Sequence, residues 1–411
     1  MRILHFLPAP LNIDELRTGG KGINTTGGWI AALLGRMLSD TEHEFACVAF
    51  GNVKEVRESH DDRIASFVVP GDWTGNSLEL SLRLSRGIVD RWRPDLMHIH
   101  GTECPYGLLT ARRMVDCPAL ISLQGLLGPY SEWYRYFGNS SFMDILRMHR
   151  WLEIAAMRGQ WIGFRKYRKT AIREREIITG NRFFMGRTAW DRAYIRALNP
   201  SARYYHGGEL LREAFWQDRW NIGEARRHRI VFTNAGHPRK GTETLLDALK
   251  LLKPDFPDIQ VGIAGALSQR TGYGRYIRSR IGELGTSAFE LGQLNSDEMV
   301  RELIKSHVFV SPSFIDNSPN AVCEAQLLGM PVISTYTGGV PSLIEDGRTG
   351  LFVPTGDAPM LAARLREVFE DDALALRLSI YAREAARKRH DPDSVVQEIL
   401  TVYQKILGGY C

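Results

Sequence analysis

Short uninterrupted apolar runs recur along the chain, and most lead into a glycine-rich or polar loop and then a stretch with helical spacing. In the first half these runs are Ile3-Leu4-His5-Phe6-Leu7, Phe45 to Ala49, Leu96 to His100 and Ala119 to Leu123. In the second they are Arg229 to Ala235, Ile259 to Gly265, Phe289 to Leu294, His307 to Val310, Val332 to Ser334 and Gly350 to Val353. Runs of this kind suit strands buried on both faces, and their alternation with helices predicts parallel sheets in an α/β fold. Ile177-Ile178-Thr179-Gly180 and Tyr204-Tyr205 read as further strands, and Asp393 to Leu407 as an amphipathic final helix.

The stretch from His307 to Phe352 has the most chemistry. Ser318 reads as a helix N-cap and Pro319 as the first helical residue, while Gly329 and Pro331 end the helix. In a parallel sheet, ligands bind beyond the carboxyl ends of the strands. Asp316 is expected there, just before a helix tip whose free N–H groups favour an anion. Glu324 follows in the second turn, about 9 Å further along the helix. One extended ligand could meet Asp316, a phosphate-binding helix tip and Glu324 in turn. Spacing alone leaves an ordinary loop acid and a solvated helix carboxylate equally open.

Two further loops continue this theme. Gly236-His237-Pro238-Arg239-Lys240-Gly241 follows a strand and would place two cations at its carboxyl end. They suit an anionic ligand; the plainer alternative is a pair of surface cations in a turn. Gly19-Gly20-Lys21-Gly22 and Gly27-Gly28 follow the first strand. Their spacing fits neither a dinucleotide fingerprint nor a Walker loop, leaving close backbone approach to a ligand, or a flexible surface loop.

The acid, seven residues, Glu-Ala, then Gly-x-Pro-Val-Ile and a Gly-Gly loop resembles the retaining glycosyltransferases of family four, glycosyl transferases group 1. The resemblance implies the GT-B fold, two Rossmann-like domains with parallel sheets facing a central cleft. It assigns 1–208 to acceptor binding and 209–390 to a nucleotide-sugar, with the helix of 391–411 packing back on the first domain. Asp316 stands where the family usually has Glu, which keeps the charge but withdraws it by one methylene. The resemblance implies that Asp316 supports the donor sugar or its reacting face. It also implies that Glu324 binds the ribose, and that Lys240, with Arg239 as a substitute for the usual arginine, neutralises the diphosphate. Ser318, Asn320 and Ala321 would present the helix tip, Gly27 and Gly28 would face the diphosphate, and Leu294 would flank the base. Gln124 replaces a common histidine; it can hydrogen-bond a sugar or acceptor but cannot act as a base. No cofactor and no metal are expected, because Lys240 and helix dipoles can do a cation's work.

Composition narrows the setting. The 411 residues suit two domains, and 44% hydrophobic with 24% charged residues suits a globular protein. A net charge of +5 is compatible with phosphorylated ligands or an anionic membrane. Five scattered cysteines without a Cys-x-x-Cys pair point to reduced thiols and a cytoplasmic location. The first strand, broken by Pro8 and Pro10, is not read as a signal peptide, and no apolar run is long enough to span a bilayer. Residues 142–175 hold nine Arg or Lys against three acids, with aromatic residues among them. Such a stretch suits peripheral contact with anionic lipid, or a basic helix packed on the core by its other face. No nucleic-acid-binding fold accompanies it, so nucleic acid is not expected as a partner. His98 and His100 alternate along a strand, so that one of them is expected to face the ligand side, and the plainer role for either is structural.

The reading is a transferase joining the sugar of a nucleotide-sugar donor to a glycan or lipid-linked acceptor in surface polysaccharide assembly. Its rivals are another sugar-nucleotide enzyme on the same fold, an epimerase or phosphorylase, and a non-catalytic basic membrane-binding protein.

Overall fold

The computed structural model describes residues 1–11, 28–71, 78–149, 153, 155, 159–268 and 271–409. In chain order the strands are β1 (Arg2–Leu7), β2 (Glu44–Gly51), β3 (Arg57–Asp61), β4 (Ile64–Pro70), β5 (Leu96–His100), β6 (Ala119–Ser122) and β7 (Phe183–Gly186). They continue with β8 (Arg203–His206), β9 (Arg226–Thr233), β10 (Gln260–Ala264), β11 (Ala288–Gly292), β12 (Ser306–Ser311), β13 (Val332–Thr335) and β14 (Leu351–Val353). Five helices matter below: α1 (Gly28–Asp40), α2 (Gln160–Gly180), α3 (Thr242–Leu252), α4 (Asn320–Leu328) and α5 (Pro392–Leu407).

The chain divides into two units. Unit 1 comprises Met1–Gly128, Tyr167–Arg212 and His390–Cys411, and unit 2 comprises Pro129–Lys166 and Glu213–Arg389. The expected boundary at 208/209 lies close to Arg212/Glu213, whereas 129–166, expected in the first domain, clusters with unit 2.

Unit 1 holds an eight-stranded sheet in the order β3-β4-β2-β1-β5-β6-β7-β8, parallel except for β3. Alternation along each strand sends side chains to two faces. Leu4, Phe6, Met97, Ile99 and Ile121 meet Phe67, Tyr106 and Ile177 on one face. Ile3, Leu7, Leu96 and Leu120 meet Ile30, Leu34 and Met37 of α1 and Val396, Ile399 and Tyr403 of α5 on the other.

Two local readings are corrected here. Residues 177–180, expected as a strand, are the last turn of α2. Ile177 and Ile178 are fully buried, and Thr179 and Gly180 are exposed, because one side of the helix lies on the sheet. The antiparallel β3–β4 hairpin, absent from the sequence reading, turns at Asp62, whose φ of 46° is one that aspartate tolerates better than most residues.

Unit 2 holds six parallel strands in the order β11-β10-β9-β12-β13-β14. β9 feeds α3 and β12 feeds α4, so the winding reverses between these two neighbouring strands. The 129–166 excursion is fastened to the same unit. Asn139 Nδ2 donates to the Gly356 carbonyl at 2.7 Å, and Gly138, at φ +64°, lies against the Phe314 ring, where a Cβ would come within 2.8 Å. Among the described residues no helix is long and apolar enough to cross a membrane.

Candidate functional site

The crevice where a doubly wound sheet reverses direction is its natural ligand site. In unit 2 this crevice lies beyond β9 and β12, and the loops leaving those strands hold Lys240 and Asp316. His237-Pro238-Arg239-Lys240 makes a single tight turn, with the Lys240 N–H donating to the His237 carbonyl at 3.0 Å. Gly241 then takes φ +72°, and a Cβ there would lie 2.0 Å from the Pro312 carbonyl oxygen. Only glycine allows the two loops to touch in this way. The Phe314 N–H donates to the Arg239 carbonyl at 2.7 Å, which locks the loops backbone to backbone.

A third loop, after β13, completes the frame. Thr335 Oγ1 donates to the Ser313 carbonyl at 2.5 Å and Thr337 Oγ1 to that of Phe314 at 2.9 Å. The Gly339 N–H donates to the Asp316 carbonyl at 3.0 Å, and Gly338, at φ +50°, has no room for a Cβ beside the same carbonyl. Within this frame Lys240 Nζ donates to Asp316 Oδ2 at 2.6 Å, each side chain about 15% exposed. Ser313 Oγ lies 3.3 Å from the same carboxylate oxygen. The result is a preorganised cation and carboxylate, partly shielded from water and held by three loops. Such a pair can open to give the ammonium to an anion and the carboxylate to hydroxyl donors.

Arg239 is placed differently. Its guanidinium carbon lies 5.3 Å from the centre of the Tyr130 ring, a cation–π contact, while its neighbour Lys240 meets Asp316. Tyr136 packs edge-on against His237, with ring centres 4.6 Å apart. Burial, reinforced by the charges of Arg239 and Lys240, holds His237 neutral, its pKa well below the usual histidine range. Its Nδ1 accepts the Arg239 N–H at 3.2 Å, so the ring proton sits on Nε2. Tyr130, Tyr136 and His237 thus brace the cationic turn. The sequence gives Tyr130 and Tyr136 no role, and His237 none beyond its place in the loop, because nothing local couples residues 130–136 to a loop a hundred positions later.

The start of α4 also differs from expectation. Pro319, rather than Ser318, is the N-cap, and its own side chain makes no capping hydrogen bond. Proline takes φ −68° here with an extended ψ of 115°, so the helix begins at Asn320 and buried Ser318 precedes the cap. The Pro319 carbonyl accepts the Val322 and Cys323 N–H groups at 3.0 and 3.3 Å. The amides of Asn320 and Ala321 are therefore the first of the helix, where the dipole is positive. Glu324 is 6% exposed in the second turn, as its spacing predicts. Leu294 is half-buried in the loop after edge strand β11, with β10 between that strand and β9.

The remaining expected residues belong to unit 1. Gln124 follows β6, and its Oε1 accepts from Arg187 Nη2 at 3.1 Å; Arg187 is ion-paired with buried Glu209. Gly28 starts α1, and Gly27 lies outside the described residues. His98 and His100, expected on opposite faces, are both buried on one face, because residues two apart on a strand point the same way. His5 joins them from the neighbouring strand, directly opposite His98. The His-x-His spacing beside a first-strand histidine was the available signal, and a correct count of strand periodicity would have read it.

Known proteins are similar to this chain on two levels. Residues 215–385 match the family described as glycosyl transferases group 1. Over 170 residues the chain is 31% identical to phosphatidyl-myo-inositol mannosyltransferase of Mycobacterium leprae (strain TN), covering 41% of this chain and 44% of that protein. The chain thus spans less than half the length of that relative. In structure it resembles sucrose-phosphate synthase of Thermosynechococcus elongatus, with a TM-score of 0.75 at 17% identity over 99% of this chain and all of that one. HepE of Anabaena, solved with UDP-glucose, gives a TM-score of 0.67 at 14% identity over 98% of this chain and all of that one. The fold is GT-B, two parallel-sheet α/β units. Residues 215–385, which hold Lys240, Asp316 and Glu324, match the glycosyl transferases group 1 family and support a glycosyltransferase of that group.

Proposed function

We propose that this protein is a retaining glycosyltransferase that uses a nucleotide-sugar donor. The observation that carries the reading is the Lys240–Asp316 pair at the switch point of unit 2, where the loop after β12 leads into the N-terminus of α4. On donor binding Lys240 exchanges Asp316 for the diphosphate, joined there by the amides of Asn320 and Ala321. Asp316, released, takes the sugar hydroxyls, and Glu324 accepts hydrogen bonds from the ribose. As the bond from the anomeric carbon to the phosphate oxygen breaks, Lys240 and the helix tip stabilise the growing negative charge. The acceptor oxygen bonds to the same face of the sugar, and its proton passes to the departing phosphate, which preserves anomeric configuration.

A solved neighbour holding UDP-glucose supports the donor class, and a relative named for transfer to a phosphatidylinositol supports a glycan or lipid-linked acceptor at a membrane surface. Exposed Phe142 and Met143 fit a peripheral location.

A thermal-shift screen of nucleotide-sugars and nucleoside diphosphates tests donor binding, because a ligand held only by the folded state raises its apparent stability. Incubation of the stabilising donor with acceptor extracts should then release the nucleoside diphosphate and form an α- or β-glycoside matching the donor's anomer. Release of free sugar alone, an epimerised donor or an inverted glycoside would each overturn the reading.

A further inference from the structure

We propose that His5, His98 and His100 form a binding site for one zinc-like divalent transition metal at the switch point of unit 1. β1 and β5 are adjacent where that sheet reverses direction, and His5 stands opposite His98 with His100 two residues further along. All three rings point to the face covered by α1 and α5, and none is more than 2% exposed. One ligand atom from each lies within 4.8 Å of the others, and His5 Nδ1 is 2.9 Å from His100 Nε2. Two imidazoles from one strand and a third from its neighbour make a tripod. At Zn–N bonds of about 2.0–2.1 Å, a tetrahedral ion holds its ligand nitrogens about 3.3 Å apart. The His5–His100 pair reaches that spacing by opening a few tenths of an ångström, and His98, within 4.8 Å of both, moves in to complete the tripod.

The surroundings fit the same reading. His98 is oriented from both sides, by the Tyr403 hydroxyl at Nδ1 and by Ser122 Oγ at Nε2, each at 2.6 Å. For His98 to ligate, one of these hydroxyls must turn away from its nitrogen, and the other then orients the ring as an outer partner. A cavity of about 20 Å³, room for one water-sized guest, is lined by His98, His100 and Ser122 together with Arg187 and Glu209.

The imidazoles cannot satisfy every nitrogen among themselves, and the two left over lie on the far side of each ring from the His5 Nδ1–His100 Nε2 contact. If His5 Nδ1–H donates to His100 Nε2, the His100 Nδ1–H and the His5 Nε2 lone pair are both buried without partners. The opposite tautomer exchanges these roles and leaves the same two atoms unmatched.

The test uses the whole chain, purified without a metal-affinity tag, loaded with zinc and passed through a desalting column. Elemental analysis should find one zinc per chain, added zinc should raise Tm, and cobalt(II) should give the visible absorption of a four-coordinate site. His5→Phe and His100→Phe should lose all three responses, and His60→Phe, on the exposed surface, should keep them. Should a variant fail to fold, X-ray absorption of the zinc-loaded wild type decides, with three histidine nitrogens expected on the ion. A wild-type chain that retains no zinc, or a zinc ion without histidine neighbours, would overturn the site. So would zinc retained undiminished in both buried variants.

Discussion

The two units reverse their winding in the same way but fill the reversal with opposite chemistry. In unit 1 the strands flanking the switch, β1 and β5, hold three neutral histidines within the strands themselves. In unit 2 the equivalent strands, β9 and β12, are apolar near their ends and pass their chemistry to the loops, as the ammonium of Lys240 and the carboxylate of Asp316. The difference follows from desolvation. A charge inside a sheet face loses its hydration and neutralises, as the histidines do, whereas a charge just beyond the strand ends keeps some water and a partner. A switch point built for a charged ligand therefore belongs in loops, and one built for neutral donors can sit inside the core.

The sharpest way to break this contrast is to remove the charges of unit 2. Asp316→Asn and Lys240→Met should each lower kcat by about 10²–10³-fold, the usual cost of losing one preorganised charge-stabilising group. Lys240→Met should also weaken binding of the nucleoside diphosphate, whereas Asp316→Asn should leave it within about threefold, since the carboxylate is assigned to the sugar. Steady-state kinetics and calorimetric titration separate the two. Equal losses of diphosphate affinity in both variants would show that the pair acts as a structural clip.

The loop frame is the next target. Gly241→Ala puts a Cβ 2.0 Å from the Pro312 carbonyl at φ +72°, so the loops must separate. A loss of about 2–3 kcal/mol by urea denaturation is expected, with a fall in turnover at least as large as the shift of Lys240 requires. Gly347→Ala, at φ +73° with open space around it, should cost only the backbone conformation, about 1 kcal/mol, with turnover unchanged. If both variants behaved alike, close packing of the loops would not be what positions Lys240.

Glu324→Gln removes the buried carboxylate from the second turn of α4. A charge-assisted hydrogen bond is worth about 1.5–3 kcal/mol, so affinity for the nucleoside diphosphate should fall by roughly 10–100-fold. The free base and the deoxyribose analogue should lose no affinity beyond what they lack already in wild type. Isothermal titration with the ribo and deoxyribo forms reads this out.

How much of this was legible follows the same divide between loop and core. Lys240, Asp316 and Glu324 could be proposed because glycine, proline and charge mark the ends of strands, and those marks are local. The braces around them were not legible: Tyr130, Tyr136 and Gly138 reach the 236–241 and 312–316 loops from a segment just before the basic stretch of 142–175, where no local pattern marks a role. Pro319 was placed one position too far into the helix, since its fixed φ suits both the cap and the first turn. Ile177 and Ile178 read as a strand because a short apolar run looks alike in a strand and in the buried side of a helix. His98 and His100 stand two apart and so share one face of their strand, while their pairing with His5 depends on which strands are neighbours, which no local pattern fixes.

The smallest expected effect tests whether the two units can be addressed separately by pH. Each has one carboxyl pushed up to about 7 from an ordinary value of 4.5: Glu103, just beyond β5, and Glu243, in the first turn of α3. Burial is the main cause in both; Glu174 adds to it at Glu103, while the Tyr273 hydroxyl, donating to Glu243 at 3.0 Å, opposes it there. Between pH 4.5 and 7 the unfolded chain has released a proton that the folded chain still holds. Stability from these groups is therefore complete below about pH 4.5 and is lost as pH rises through 7. Glutamine mimics the protonated form. Glu103→Gln and Glu243→Gln should each match wild type near pH 4.5 and exceed it at pH 8 by about 1 kcal/mol, since solvent reach reduces the full linkage value. Hydrogen exchange at pH 8 should show the gain from Glu103→Gln in unit 1 and that from Glu243→Gln in unit 2. A gain shared equally by both units would mean that they unfold as one cooperative body, and the contrast between their switch points would then have to be tested on local chemistry alone.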